Sequence, residues 1–84
     1  MKRPLRGVEL AAEVARRLAA RGLYAARHST SILVMSGGRM LASIHVYGRE
    51  CIMRPYRPYA DVNAEELRRL EGLLRSLCGG VRVE

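Results

Sequence analysis

The chain has 84 residues, 49% of them hydrophobic, enough to fold one domain around a small core with little stability in reserve. No apolar run approaches the roughly 18 residues of a membrane span, and MKRPLRGVEL lacks the apolar stretch of a signal peptide, so a cytoplasmic protein with no membrane partner is expected. The net charge is +7, carried by fourteen arginines and Lys2 against eight acids, which turns attention to anionic partners.

That excess is unevenly spread. Residues 1–22 carry six basic and two acidic groups, residues 23–60 five and one, and residues 61–78 three and four. The last predicted helix therefore does not share it. The chain also lacks Gln, Phe and Trp and has a single Asn, a composition that suits a thermophile.

The first element, GVELAAEVARRLAARG, predicts a helix over 7–21. Val8, Ala11, Val14, Ala15 and Leu18 recur at helical spacing, Glu13 precedes Arg17 by four, and Gly22 stands where a C-cap belongs. Four strands follow, at about 23–28, 31–36, 39–47 and 50–54. Gly37-Gly38 is a favoured two-residue hairpin loop, Gly48-Arg49 fits a turn with glycine first, and Ser29-Thr30 is a poorer one. A second helix is predicted over about 63–78. Asn63 and Glu66 take the N-cap and N3 places of a capping box, Leu67, Leu70, Leu74 and Leu77 make a stripe that Leu73 widens, and Gly79 ends it. The stripe reads as core, or as the seam of a homodimer. VRV adds a short edge strand at the C-terminal end. The predicted class is α+β: N-terminal helix, four-stranded antiparallel meander, C-terminal helix.

A regular register through these turns sorts the strand residues into two faces. Leu33, Met35, Met40, Ala42, Ile44, Val46, Cys51 and Met53 fall on one, all apolar, which the helices should cover. Arg27, Ile32, Val34, Arg39, Leu41, Ser43, His45, Tyr47, Ile52 and Arg54 fall on the other, an apolar floor edged with arginine. A one-residue change in any loop would flip the strand that follows to the opposite face.

After the strands comes RPYRPY, residues 54–59, which holds two of the four aromatic side chains. Proline fixes its own φ and holds the preceding residue extended, so the segment predicts a polyproline II run of three residues per turn. Arg54 and Arg57 would then share one stripe, and Tyr56 and Tyr59 another. Such a segment suits arginines on phosphates and rings on bases; the alternative is a stiff connector whose tyrosines cover the sheet edge.

Cys51 and Cys78 lie too far apart for a CxxC pair and make no zinc pattern with His28 and His45. Two buried free thiols are expected, with a disulfide as the alternative, and no metal or cofactor. No catalytic spacing stands out, and SGGR links two strands instead of opening a helix as a phosphate loop does. A non-enzymatic protein is expected.

Helix, sheet and helix in this order resemble a double-stranded-RNA-binding domain, but there the second helix opens with basic residues, whereas DVNAEEL is acidic. The GxxG loop of a KH domain and the aromatic motif of an RRM are missing. An open, partly apolar sheet rimmed by arginine suits unpaired bases. In its compact arginine-rich chain, its four strands between helices and its apolar cleft edged by Arg39, Arg54 and Arg57, the sequence resembles the ThermoDBP-related family of archaeal single-stranded nucleic-acid-binding proteins. That resemblance implies bases held in the cleft with little sequence preference, on DNA, RNA or both. The founding members' C-terminal leucine zipper is not found in these 84 residues. The candidate contact residues are Arg27, Ile32, Val34, Arg39, Leu41, His45, Tyr47, Ile52, Arg54, Tyr56, Arg57 and Tyr59. The alternative is a protein-interaction module that uses the open sheet face or the leucine stripe.

Overall fold

Alanine-rich Gly7–Ala20 forms the first helix, α1, in the computed structural model, which describes residues 3–84. Leu10, Ala11, Val14 and Leu18 are buried along one face, whereas Val8, expected on that stripe, is 50% exposed. Gly22 ends the helix at φ 84°, its N–H donating to Ala19 while Leu23 N–H reaches back to Leu18. That double return is the glycine-terminated stop the sequence predicts. On the outer face Glu13 accepts from Arg17 at 2.8 Å and from Arg16 at 2.6 Å.

Four antiparallel strands follow: β1 (Tyr24–His28), β2 (Ser31–Ser36), β3 (Arg39–Tyr47) and β4 (Glu50–Pro55). The three expected two-residue loops all occur, closed by His28–Ser31, Ser36–Arg39 and Tyr47–Glu50. Gly37 and Gly38 both take positive φ, as a hairpin loop that follows the strand twist requires. Ser29 does so too, at φ 58°, without glycine's freedom.

A 3-10 turn at Arg57–Tyr59 leads into α2 (Ala64–Leu77), and β5 (Gly80–Val83) then pairs parallel to β4. The five strands lie side by side in chain order, and the α2 crossover is what permits the last, parallel neighbour. The predicted α+β class and terminal edge strand are thus observed. The polyproline expectation is corrected: Arg54 and Pro55 pair with Ser43 and Ala42 as the end of β4, and only Tyr56 is an extended link. From Arg57 the chain coils into the 3-10 turn, with Ala60 N–H donating to Arg57 and Asn63 N–H to Tyr59. A proline at the first or second position of a turn is compatible with helical φ, so the sequence allowed both outcomes.

Both helices pack on the same face of the sheet. Leu67, Leu70, Leu73 and Leu74 of α2 are buried with the α1 side chains against Ile32, Val34, Ile44, Val46 and Met53. The leucine stripe is therefore core, and the dimer seam read from it is corrected. The capping box is corrected as well. Asn63 sits at the N-cap position without a side-chain bond, and Glu66 instead accepts from Ser36 Oγ at 2.6 Å, tying α2 to the end of β2.

The expected free thiols are paired. Cys51, on the helix side of β4, and Cys78, the C-cap of α2, form a disulfide with their Cα atoms 6.2 Å apart. Gly79 allows the close return: a side chain there would press on Arg49 at 3.1 Å, and its N–H donates to the Arg49 carbonyl. The sequence separation of 27 between the two cysteines brought no local spacing signal.

Candidate nucleic-acid interface

The face opposite the helices is built by register, and one residue decides it. Val34 pairs with Ala42 and Met35 with Met40, so Leu41 is an extra residue in β3, a β-bulge. On its other side Leu41 continues the β3–β4 pairing, its carbonyl accepting from Tyr56 N–H at 3.0 Å. Beyond the bulge β3 runs as expected, with Ala42, Ile44 and Val46 inward and Ser43, His45 and Tyr47 outward. Before it, every side chain is on the opposite face from the one a regular ladder gives.

The candidate list changes accordingly. Ile32, Val34 and Leu41 are core residues, each 1% exposed or less, and cannot touch a ligand. Arg39 pairs with Ser36 and Arg27 with Ile32, so both lie on the helix side of the sheet, at its ends. Arg27 there donates to its own turn, to Ser29 O at 2.9 Å. In exchange Leu33, Met35 and Met40, expected in the core, move to the open face and are half-buried. Tyr24 and His28 join them through their pairing with Met35 and Ser31, and Tyr24 is 63% exposed. Sequence reasoning missed these, because Met40, Leu41 and Ala42 are all apolar and so carry no sign of a bulge.

His45, Tyr47, Ile52 and Arg54 stay where expected and stand together. Tyr47 is 57% exposed, and its ring lies 4.3 Å from the His45 ring, centroid to centroid, tilted by 34°. His45 is held from the start of β2 and the turn before it, with Nδ1 2.8 Å from Ser31 Oγ and Nε2 3.4 Å from Thr30 Oγ1. Ile52, paired with His45 on one side and Arg82 on the other, is 8% exposed and makes a nearly closed apolar floor between them. Tyr24 and Met35 line, with Gly22, Gly37 and Gly38, a shallow depression of about 480 Å³ at the far end.

The RPYRPY segment borders this face. The Tyr56 and Tyr59 rings lie 5.4 Å apart, and both are partly exposed, at 37% and 42%. They therefore meet each other, as a connector's rings would, while keeping part of their surface free. Arg54 donates from Nε to Glu84 Oε1 at 3.0 Å, and Arg57 to the Glu84 backbone oxygen at 2.6 Å. The hydrogen bond from Arg54, and then the charges of Arg54 and Arg82, hold the Glu84 carboxyl below its ordinary pKa.

No protein-family model, curated protein or solved structure matches this chain. The site must therefore be judged on its own chemistry. No group of three or more His, Cys, Asp or Glu is placed to hold a metal among the described residues. No described helix is long and apolar enough to cross a membrane. What the open face offers is aromatic and apolar surface bounded by guanidinium groups.

Proposed function

We propose that this protein binds single-stranded nucleic acid, DNA or RNA, with low sequence specificity and without catalysis, on the sheet face opposite its helices. The observation that carries this reading is the one-sided packing. Both helices cover one face, and the other is left with Tyr24 and Tyr47 exposed, Leu33, Met35 and Met40 half-covered, and Arg54 and Arg82 at its edge. Aromatic rings stack on any base, while arginines follow the phosphates, so such a surface binds strands without reading them. A duplex, whose bases are already stacked, cannot use it. This is also the function that the resemblance to the ThermoDBP-related family implies, and a cytoplasmic, thermophilic setting would accommodate the disulfide, since intracellular disulfides are common in hyperthermophiles.

The test is a fluorescence titration with labelled oligo-dT, oligo-U and a duplex at salt from about 50 to 200 mM. Single strands should bind more tightly than the duplex. With Arg54, Arg57 and Arg82 at the rim, the salt slope should be no steeper than about −2, at roughly −0.7 per phosphate contact. Equal or tighter duplex binding removes the base-floor mechanism. Because the same exposed rings and methionines would also suit a second copy of this chain, light scattering over the titrated range tells a homodimer on that face from a monomer that binds strands.

A further inference from the structure

Three arginines from three segments converge on one acidic residue at the rim of the open face. Arg54 Nε of β4 donates to one Glu84 carboxylate oxygen at 3.0 Å, and Arg82 Nε of β5 makes an ion pair with the other, also at 3.0 Å. Arg57 Nη2 of the 3-10 turn donates to the Glu84 backbone oxygen at 2.6 Å. Glu84 N–H is itself anchored to Met53 O at 2.9 Å, which sets the residue over the end of β4. Among the described residues these guanidiniums make no ion pair with any other acid.

Two guanidiniums set against the two oxygens of one anionic group, one hydrogen-bonded and one ion-paired, with a third beside them, match the two non-bridging oxygens of a phosphodiester equally well. The cluster is also continuous with the apolar floor, because Arg82 pairs with Ile52 and Ile52 with His45. A strand whose bases lie on that floor has its phosphates near this rim. We propose that Arg54, Arg57 and Arg82 form a phosphodiester subsite that Glu84 occupies in the free chain as a stand-in for phosphate, so that Glu84 and a bound strand compete. This rests on the single-strand reading above, and it adds Arg82, which sequence analysis passed over, to the contact residues.

The exchange is easy because the pairs are open to solvent: the arginine side chains are 64% and 68% exposed and that of Glu84 is 37%. An exposed ion pair shifts an equilibrium by a factor of only about 1.5 to 5. A phosphate that replaces the carboxylate leaves the charge of the cluster unchanged, so this contact adds little to the wild-type salt slope. With Glu84→Gln it should add roughly 0.7 to the slope, and strand affinity should rise by about fivefold.

The test has two arms. Arginine Nε–Hε NMR signals are followed while inorganic pyrophosphate is titrated into wild type, Glu84→Gln and Arg82→Ala, and labelled oligo-dT is titrated into the same three proteins. Thermal melts confirm that each is folded, and Glu84→Asp, which keeps the charge but shortens its reach, serves where Glu84→Gln is not. The Arg54 and Arg82 signals should move at about fivefold lower pyrophosphate in Glu84→Gln than in wild type, and Arg82→Ala should weaken both ligands. Equal pyrophosphate midpoints in wild type and Glu84→Gln would overturn the subsite, even if oligo-dT binds. A shifted pyrophosphate midpoint with no oligo-dT binding in any protein would keep the anion site but overturn its assignment to a strand, and with it the proposed function.

Discussion

Tyr47→Ala set against Leu41→Ala separates the open face from the covered one. Tyr47 is 57% exposed, and its one ring partner is His45 at 4.3 Å, so its loss should cost folding no more than about 1 kcal/mol, the scale of an aromatic pair. If the ring stacks on a base, binding should fall by roughly 1–3 kcal/mol, a factor of about 5 to 150 in Kd. Leu41 is the reverse case. It is 0% exposed on the helix side, so truncation should cost about 2–5 kcal/mol of stability while the folded fraction binds as wild type does. Fluorescence anisotropy with labelled oligo-dT and urea denaturation, run on both variants, measure the two quantities. A Tyr47→Ala protein that binds within about twofold of wild type would refute stacking at this face, and a Leu41→Ala protein whose folded fraction binds more weakly than Tyr47→Ala would refute the face assignment itself.

The RPYRPY tyrosines pose the same question at the rim. Tyr56→Ala with Tyr59→Ala should weaken oligo-dT binding by roughly 1–3 kcal/mol for each ring that meets a base; a lowered melting temperature with unchanged affinity would make the segment a connector and leave binding to His45, Tyr47 and Ile52. Reduction of Cys51–Cys78, which closes a separation of 27 residues, should remove about 3.5 kcal/mol of stability on the chain-entropy estimate, visible as a lower urea midpoint with dithiothreitol. An unchanged midpoint would mean that the packing of β4 against α2 already holds the two ends. Acid should act through Glu13 and Glu84. Folding lowers both carboxyl pKa values below 4.5, through Arg16 and Arg17 for Glu13 and through Arg54 and Arg82 for Glu84. Their stabilising effect is thus complete above that pH and lost as pH falls through the folded values, so urea midpoints of Glu13→Gln and wild type should converge in acid and differ at neutral pH.

Element order was legible because each element carried its own punctuation. Gly22, Gly37-Gly38 and Gly48 marked the helix stop and two of the hairpins, and the spacing of Leu67, Leu70 and Leu74 marked α2. The faces were legible only downstream of Leu41. There the alternation of Ile44, Val46, Cys51 and Met53 against His45, Tyr47, Ile52 and Arg54 is unbroken. Upstream, one unpaired residue reversed β2 and β1 together, because each strand inherits its register from the next. Nothing local announces such a bulge when the residues around it, Met40, Leu41 and Ala42, are all apolar. The disulfide and the Glu84 cluster were hidden for a related reason: both join segments that meet only after the α2 crossover lays β5 along β4. Asn63 and Glu66 fitted a capping box by spacing, yet Ser36, thirty residues away in sequence, took the Glu66 carboxylate.

The central claim is that single strands lie on the open sheet face. Its most direct measurement is the footprint of a short oligo-dT on the backbone and side-chain NMR signals of the whole chain. The account predicts the largest shifts at Tyr24, Met35, His45, Tyr47, Arg54 and Arg82, with Arg16, Arg17, Arg68 and Arg69 on the outer helix faces little changed. Largest shifts on those helix arginines, or a spectrum indifferent to the oligonucleotide, would contradict it.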